Sequence, residues 1–264
     1  MRIIMLSIES YMQRFKKYLI QWYDTEDAYV KRNIRLKEEH TERVMQNIIE
    51  LSNLLKLTEY ESFLAEITAL YHDIARFRQF YEYKTFDDRK SFDHAEEGTR
   101  IIQEQGFLEG IDTNDKYKIL SAIRYHNKKH LPKFTDHTEE LLAKLIRDAD
   151  KLDIWFIVGK ELAENDDPAI TLGYTDNGKF NPQIIKLLRE QKIVDYRLVQ
   201  STVDFKLTTL GWLYDINFKQ TFYLIRKNNV LRPILHSLPD IPEINETKNY
   251  IENFIESIFS TIKK

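Results

Sequence analysis

Apolar residues recur at steps of three and four along most of this chain, and the elements that spacing predicts are helices. Ile8, Tyr11, Phe15, Leu19 and Trp22 outline an amphipathic helix over residues 7–23. Thr25 stands where an N-cap belongs, and Ala28 and Val30 open a long polar helix behind it. His40, Val44, Ile48, Leu51 and Leu55 form the next stripe, so His40 falls on a buried face. Thr58 and Glu61 have the spacing of a capping box. They precede a run through Phe63, Leu64, Ile67 and Leu70 into the doublet His72-Asp73. Residues 77–92 carry Phe77, Phe80, Tyr81, Tyr83 and Phe86 without a period, and read as a loop or short helix over whatever the doublet binds. Ser91 or Asp93 opens a helix with His94, Gly98, Ile101 and Ile102 on one face. Asp115 starts another that carries Ile119, Ile123 and His126, and Pro132 marks the exit from it. Leu141, Leu145, Asp148 and Leu152 share a face of the one after.

Pro168 ends this series, which sets the expected boundary between a first domain over 1–167 and an extension over 168–264. Gly173, Asp176-Asn177-Gly178 and Pro182 make a turn cluster that could close a small hairpin. Helical patterns return near 182–191, 195–210, 214–227 and 242–262. The expected fold is all-α: a helical bundle with a helical C-terminal extension packed on it. Only 7 glycines and 6 prolines in 264 residues agree with long helices. At 42% hydrophobic and 31% charged residues, the chain has ample material for a core. A net charge of -3 excludes a general basic field for a nucleic-acid polymer. The run Ile3-Ile4-Met5-Leu6 is too short for a signal-peptide core or a membrane span, so no membrane partner and a cytoplasmic location are expected.

The absence of cysteine excludes disulfides, thiolate metal sites and thiol catalysis, and leaves His, Asp and Glu as the strong metal ligands. His40, His72-Asp73, His94, His126 and Asp148 each sit on or beside the apolar stripe of a different helical pattern. Antiparallel helices can bring such residues to one point in a core. Several polar groups meeting there unpaired would be costly, and a divalent cation removes that cost. Each alone has a blander reading as a satisfied core or surface residue; the order and spacing together favour the metal. Imidazole with carboxylate suits Fe, Mn, Co, Ni or Zn better than Mg.

The order His, His-Asp, Asp, carried by His40, His72-Asp73 and the Asp148 of Arg147-Asp148-Ala149-Asp150-Lys151-Leu152-Asp153, resembles the HD superfamily of metal-dependent phosphohydrolases. His94 in Asp93-His94-Ala95-Glu96-Glu97-Gly98 and His126 in Arg124-Tyr125-His126-Asn127-Lys128 resemble its six-ligand, binuclear branch. That resemblance implies one metal on His40, His72, Asp73 and Asp148, and a second on His94 and His126, with Asp73 between them. It implies hydrolysis, in which a metal-activated water attacks a phosphoester or phosphoanhydride of a small molecule, with nucleotides the expected class. Cations near the ligands in sequence are candidates to hold phosphate: Arg43, Arg76 and Lys151, with His130 as a further phosphate partner or a proton donor to the leaving group.

Three alternatives stay open at this point. A single metal would leave His94 and His126 to contact phosphate. The same ligands in the inositol-oxygenase branch hold a diiron pair that activates oxygen, and a non-catalytic, nucleotide-sensing or metal-stabilised protein is a third reading. Asp150 and Asp153 read as structural partners of Arg147 and Lys151.

Overall fold

A computed structural model describes residues 7–164 and 167–262, and among these no strand occurs. Seven helices lead: α1 (Ile8–Tyr23), α2 (Ala28–Leu55), α3 (Glu59–Tyr71), α4 (Ile74–Tyr83), α5 (His94–Glu104), α6 (Thr113–Tyr125) and α7 (His137–Glu164). Then come α8 (Pro182–Arg189), α9 (Thr202–Leu210), α10 (Lys219–Lys227), the short α11 (Arg232–His236) and α12 (Pro242–Ile262). The all-α expectation holds. The segment 169–181 folds as turns with no hairpin. No helix among the described residues is long and apolar enough to cross a membrane.

The chain divides into two compact units inside α7, one ending at Asp150 and the other beginning at Lys151. Pro168 lies beyond the end of that helix. In the first unit α2 is the spine. It packs on α3 and α4, and α6 packs on α3 and α5. Val30, Ile34, Val44, Ile48 and Leu51 bury the inner face of α2. This helix is continuous, so His40 sits in its middle rather than near an end. Its cap is Asp27, which accepts from the backbone N–H groups of Tyr29 and Val30; Thr25 Oγ1 instead accepts from the N–H of Asp27. The capping box expected of Thr58 and Glu61 is present in full.

The doublet departs from the expectation of an unbroken helical run. α3 stops at Tyr71 with His72 as its C-cap, and α4 begins at Ile74. Asp73 stands between them at φ −109°, ψ 19°, the sparsely populated bridge region where active-site residues are often found. Asp73 occupies the N-cap position of α4 without capping it, because its carboxylate is committed elsewhere. The aromatic stretch after it is mostly helix: Phe77 and Phe80 of α4 are fully buried, and Phe86 nearly so. Those rings are core, and a single 3₁₀ turn at Asp88–Lys90 follows them.

In the second unit Trp155 of α7 is fully buried, and its indole N–H donates to the carbonyl of Thr209 at 2.9 Å. Lys151 pairs with the Asp215 carboxylate at 2.7 Å. α8 packs on α9 and α12, and α10 on α12.

Candidate metal centre

Five of the six expected ligands meet in the first unit, and all are buried: His40, His72, Asp73, His94 and His126. They form two donor groups. In the first, the Nε2 atoms of His40 and His72 lie 3.2 Å apart, with Asp150 Oδ1 at 3.3 and 3.8 Å from them. In the second, the Nε2 atoms of His94 and His126 lie 3.0 Å apart. Asp73 faces both. Its Oδ2 lies 3.4 Å from His40 Nε2 and 3.7 Å from His72 Nε2; its Oδ1 lies 3.4 Å from His94 Nε2 and 3.7 Å from His126 Nε2. One carboxylate thus offers one oxygen to each pair of imidazoles.

The C-terminal carboxylate of the set is Asp150, where the sequence reading chose Asp148. Two residues along a helix are about 200° apart, so the two cannot face one point. Among the described residues, Asp148 is fully buried but belongs to neither donor group. Period alone does not separate the two, because residues 141–143 and 145–149 of α7 are all buried, so no single apolar stripe marks an inward face there.

Local backbone chemistry aims the rings. His72 and His126 are the C-cap residues of α3 and α6, and each donates Nδ1–H to the carbonyl three residues back: Ala69 at 2.8 Å, Ile123 at 2.6 Å. His94 opens α5, behind an Asp93 cap, and its Nδ1 lies 2.6 Å from Asp88 Oδ2. Carbonyls and an ionised carboxylate only accept, so all three rings carry their proton on Nδ1 and turn a bare Nε2 inward. The Nε2 lone pairs of His94 and His126 then oppose each other at 3.0 Å, an arrangement no hydrogen bond can satisfy. A cation accepting both removes the conflict. The donor set is all nitrogen and oxygen, and it fits a divalent transition ion.

Electrostatics agree with that fit. Burial, reinforced by Arg76, pushes His94 down to about 4 against the pull of Asp88 and Asp73, so the ring resists protonation. Burial would raise Asp73, but the Lys37 ammonium beside it opposes this, and the carboxyl is held well below the usual range. Asp150 is likewise held well below the usual range, its burial outweighed by its hydrogen bond with His40. Asp88 is also held low, its burial outweighed by His94 and Arg76.

Residues 38–155 match the family model of the HD domain. No curated protein and no solved structure was found to match the chain. The matched stretch holds every donor described above, from His40 to Asp150.

Sequence reasoning missed several neighbours of these donors. Lys37, one turn before His40, donates to Asp73 Oδ2 at 2.7 Å. Asp88 buttresses His94, and Asp150 was read as structural. Lys37 had a signal in its spacing from His40; Asp88, in an irregular loop, had none. Of the expected phosphate partners, Arg76 lies beside the site, its Nε 3.6 Å from Asp73 Oδ1 and its Nη1 held by Gln79, the Phe86 carbonyl and Asp88. Arg43 lies 3.8 Å from Glu39 on its own helix, Lys151 is engaged with Asp215, and His130 is exposed in the bend after α6.

Proposed function

We propose that this chain is a metal-dependent phosphohydrolase with a two-ion centre, acting on a phosphoester or phosphoanhydride of a small molecule, with nucleotides the foremost class. One observation carries the reading: the Asp73 carboxylate points its two oxygens at two separate imidazole pairs. One ion would take His40, His72, Asp150 and Asp73; the other His94, His126 and Asp73. Bound there, divalent ions supply Lewis acidity to a phosphoryl group and lower the pKa of a water.

The protein's own share is orientation and charge. Nδ1 bonds to Ala69, Ile123 and Asp88 keep three Nε2 atoms aimed. Asp73 and Asp150, ionised by their neighbours, balance the cations. Lys37 and Arg76 bring positive charge to either oxygen of Asp73, where a phosphate of the substrate would approach. Arg43, Lys151 and His130 remain proposed substrate contacts on their proximity in sequence to the ligands.

Elemental analysis of the purified protein, followed by a phosphate-release screen with the metal found, tests the proposal. Two equivalents of a transition metal and turnover of a phosphorylated substrate are expected, with His94→Ala retaining about one equivalent. An unchanged metal load in that variant refutes the two-ion assignment. Oxygen consumption that requires ferrous iron, without phosphate release, would point to the oxygenase chemistry instead.

A further inference from the structure

Arg147 is 4% exposed, a buried cation outside both donor groups. Its Nη1 donates to the carbonyls of Tyr125 at 3.2 Å, His126 at 3.1 Å and Lys128. These three oxygens belong to the turn that closes α6 and carries His126. On its other side that turn is tied to the start of α5: Asn127 donates to Asp93 Oδ1 at 2.9 Å and to Asp88 Oδ2 at 3.3 Å, and Lys128 pairs with Asp93. Arg147 also stands one turn before Asp150 on α7. The same stretch of helix therefore supplies a carboxylate to the first donor group and grips the backbone that bears a ligand of the second. A guanidinium at the end of a helix also suits the negative end of its dipole.

We propose that Arg147 is a positioning residue that sets the separation of the two donor groups, and with it the affinity for the second ion. This rests on the two-ion reading above. Arg147 acts through the backbone of the turn that carries His126. Loss of partners that orient a ligand typically costs roughly 10–100-fold in metal affinity. That loss should fall on the His94–His126 ion and spare the ion on His40, His72 and Asp150.

The test uses the full chain reconstituted with Mn(II), read by equilibrium binding and by electron paramagnetic resonance, which separates an exchange-coupled pair from a lone ion. The natural chain should take two ions and give a coupled spectrum. Arg147→Met should hold one ion at unchanged affinity, bind the second roughly 10–100-fold more weakly, and show the uncoupled spectrum until Mn(II) is in excess. Arg147→Lys, which keeps a donor to the carbonyls but loses the planar fork, should fall between the two. Equal weakening of both ions, or none, overturns the proposal, since a merely structural arginine would not distinguish them. If Arg147→Met fails to fold, Arg147→Lys decides on the same criterion. A natural chain that takes only one ion sinks the two-ion reading and this inference with it; two ions in both chains with equal affinities sinks this inference alone.

Discussion

Replacing Asp88 by Asn changes almost no volume, yet it should damage the second donor group more than cutting the side chain away. All four polar neighbours of Asp88 donate to it: Oδ1 accepts from Arg76 Nη1 and Gln79 Nε2, each at 2.9 Å, and Oδ2 from His94 Nδ1 at 2.6 Å and Asn127 Nδ2 at 3.3 Å. An asparagine must turn its NH₂ toward one of these pairs. Facing Arg76 and Gln79, it meets a guanidinium and an amide whose other bonds, to Ser91 and the Phe92 carbonyl, oppose a flip. Facing His94, it meets a ring that can answer by moving its own proton from Nδ1 to Nε2. The second route is cheaper, and it aims an N–H at the cation. A wrong tautomer is a severe fault in a His–Asp pair. The expected loss for the second ion is at least the roughly 10–100-fold assigned to outer partners, about 1.4–2.7 kcal/mol. In Asp88→Ala, water can reach the vacated space, because the carboxylate is 29% exposed, and can accept from Nδ1–H. The order of second-ion affinity should be natural chain, then Ala, then Asn, measured by calorimetric titration, with the His94 tautomer read by ¹⁵N NMR. An Asn variant that binds the second ion as well as the Ala variant refutes the tautomer argument.

Other outcomes follow from the same geometry. Asp150→Asn should cost the ion on His40 and His72, whereas Asp148→Asn should leave both ions in place in whatever fraction folds; metal analysis of the folded fractions checks the pair. Asp73→Ala should abolish metal binding and phosphate release together, and it leaves the Lys37 ammonium without its 2.7 Å partner. Breaking a buried pair from one side costs about 3–5 kcal/mol, so the metal-free variant should also unfold at visibly lower urea. Acid should weaken the metal-free protein in a defined window. His94 is pushed from 6.5 to about 4 in the fold, so between these values the unfolded chain binds the extra proton. Stability is then lost as pH falls through that range, by about 3 kcal/mol for this ring alone. Asp73 and Asp150, held low in the fold, add losses in more acid solution. Urea midpoints of the metal-free protein from pH 7 to pH 4 would show it, and a flat profile would contradict it.

What the sequence made legible was set by how many faces each helix buries. α2 carries polar residues outward and one stripe inward, so His40 could be placed on the inner face by period alone. The capping box at Thr58 is local chemistry, and it held to the residue. α7 is buried nearly all round beside Asp148 and Asp150, so periodicity had nothing to discriminate, and the helical phase was resolved only by its neighbours. The break at His72-Asp73 carries no proline or glycine to announce it. It is paid for by tertiary contacts, with Lys37 and four imidazoles around one carboxylate, that no window of sequence contains. Asp88 acts on His94 from a 3₁₀ turn six residues before it, and Arg147 acts on the His126 turn from within α7; pattern reading follows elements rather than what holds their ends.

The rings of His72 and His126 are each fastened to an oxygen of the very helix they terminate, at Ala69 and Ile123. A donor aimed this way needs four consecutive residues and a helix end, and owes nothing to distant parts of the chain. Such a module could be grafted onto the closing turn of an unrelated bundle and arrive already pointing the correct way. His94, steered by a carboxylate from a neighbouring loop, could not be moved without carrying Asp88 along.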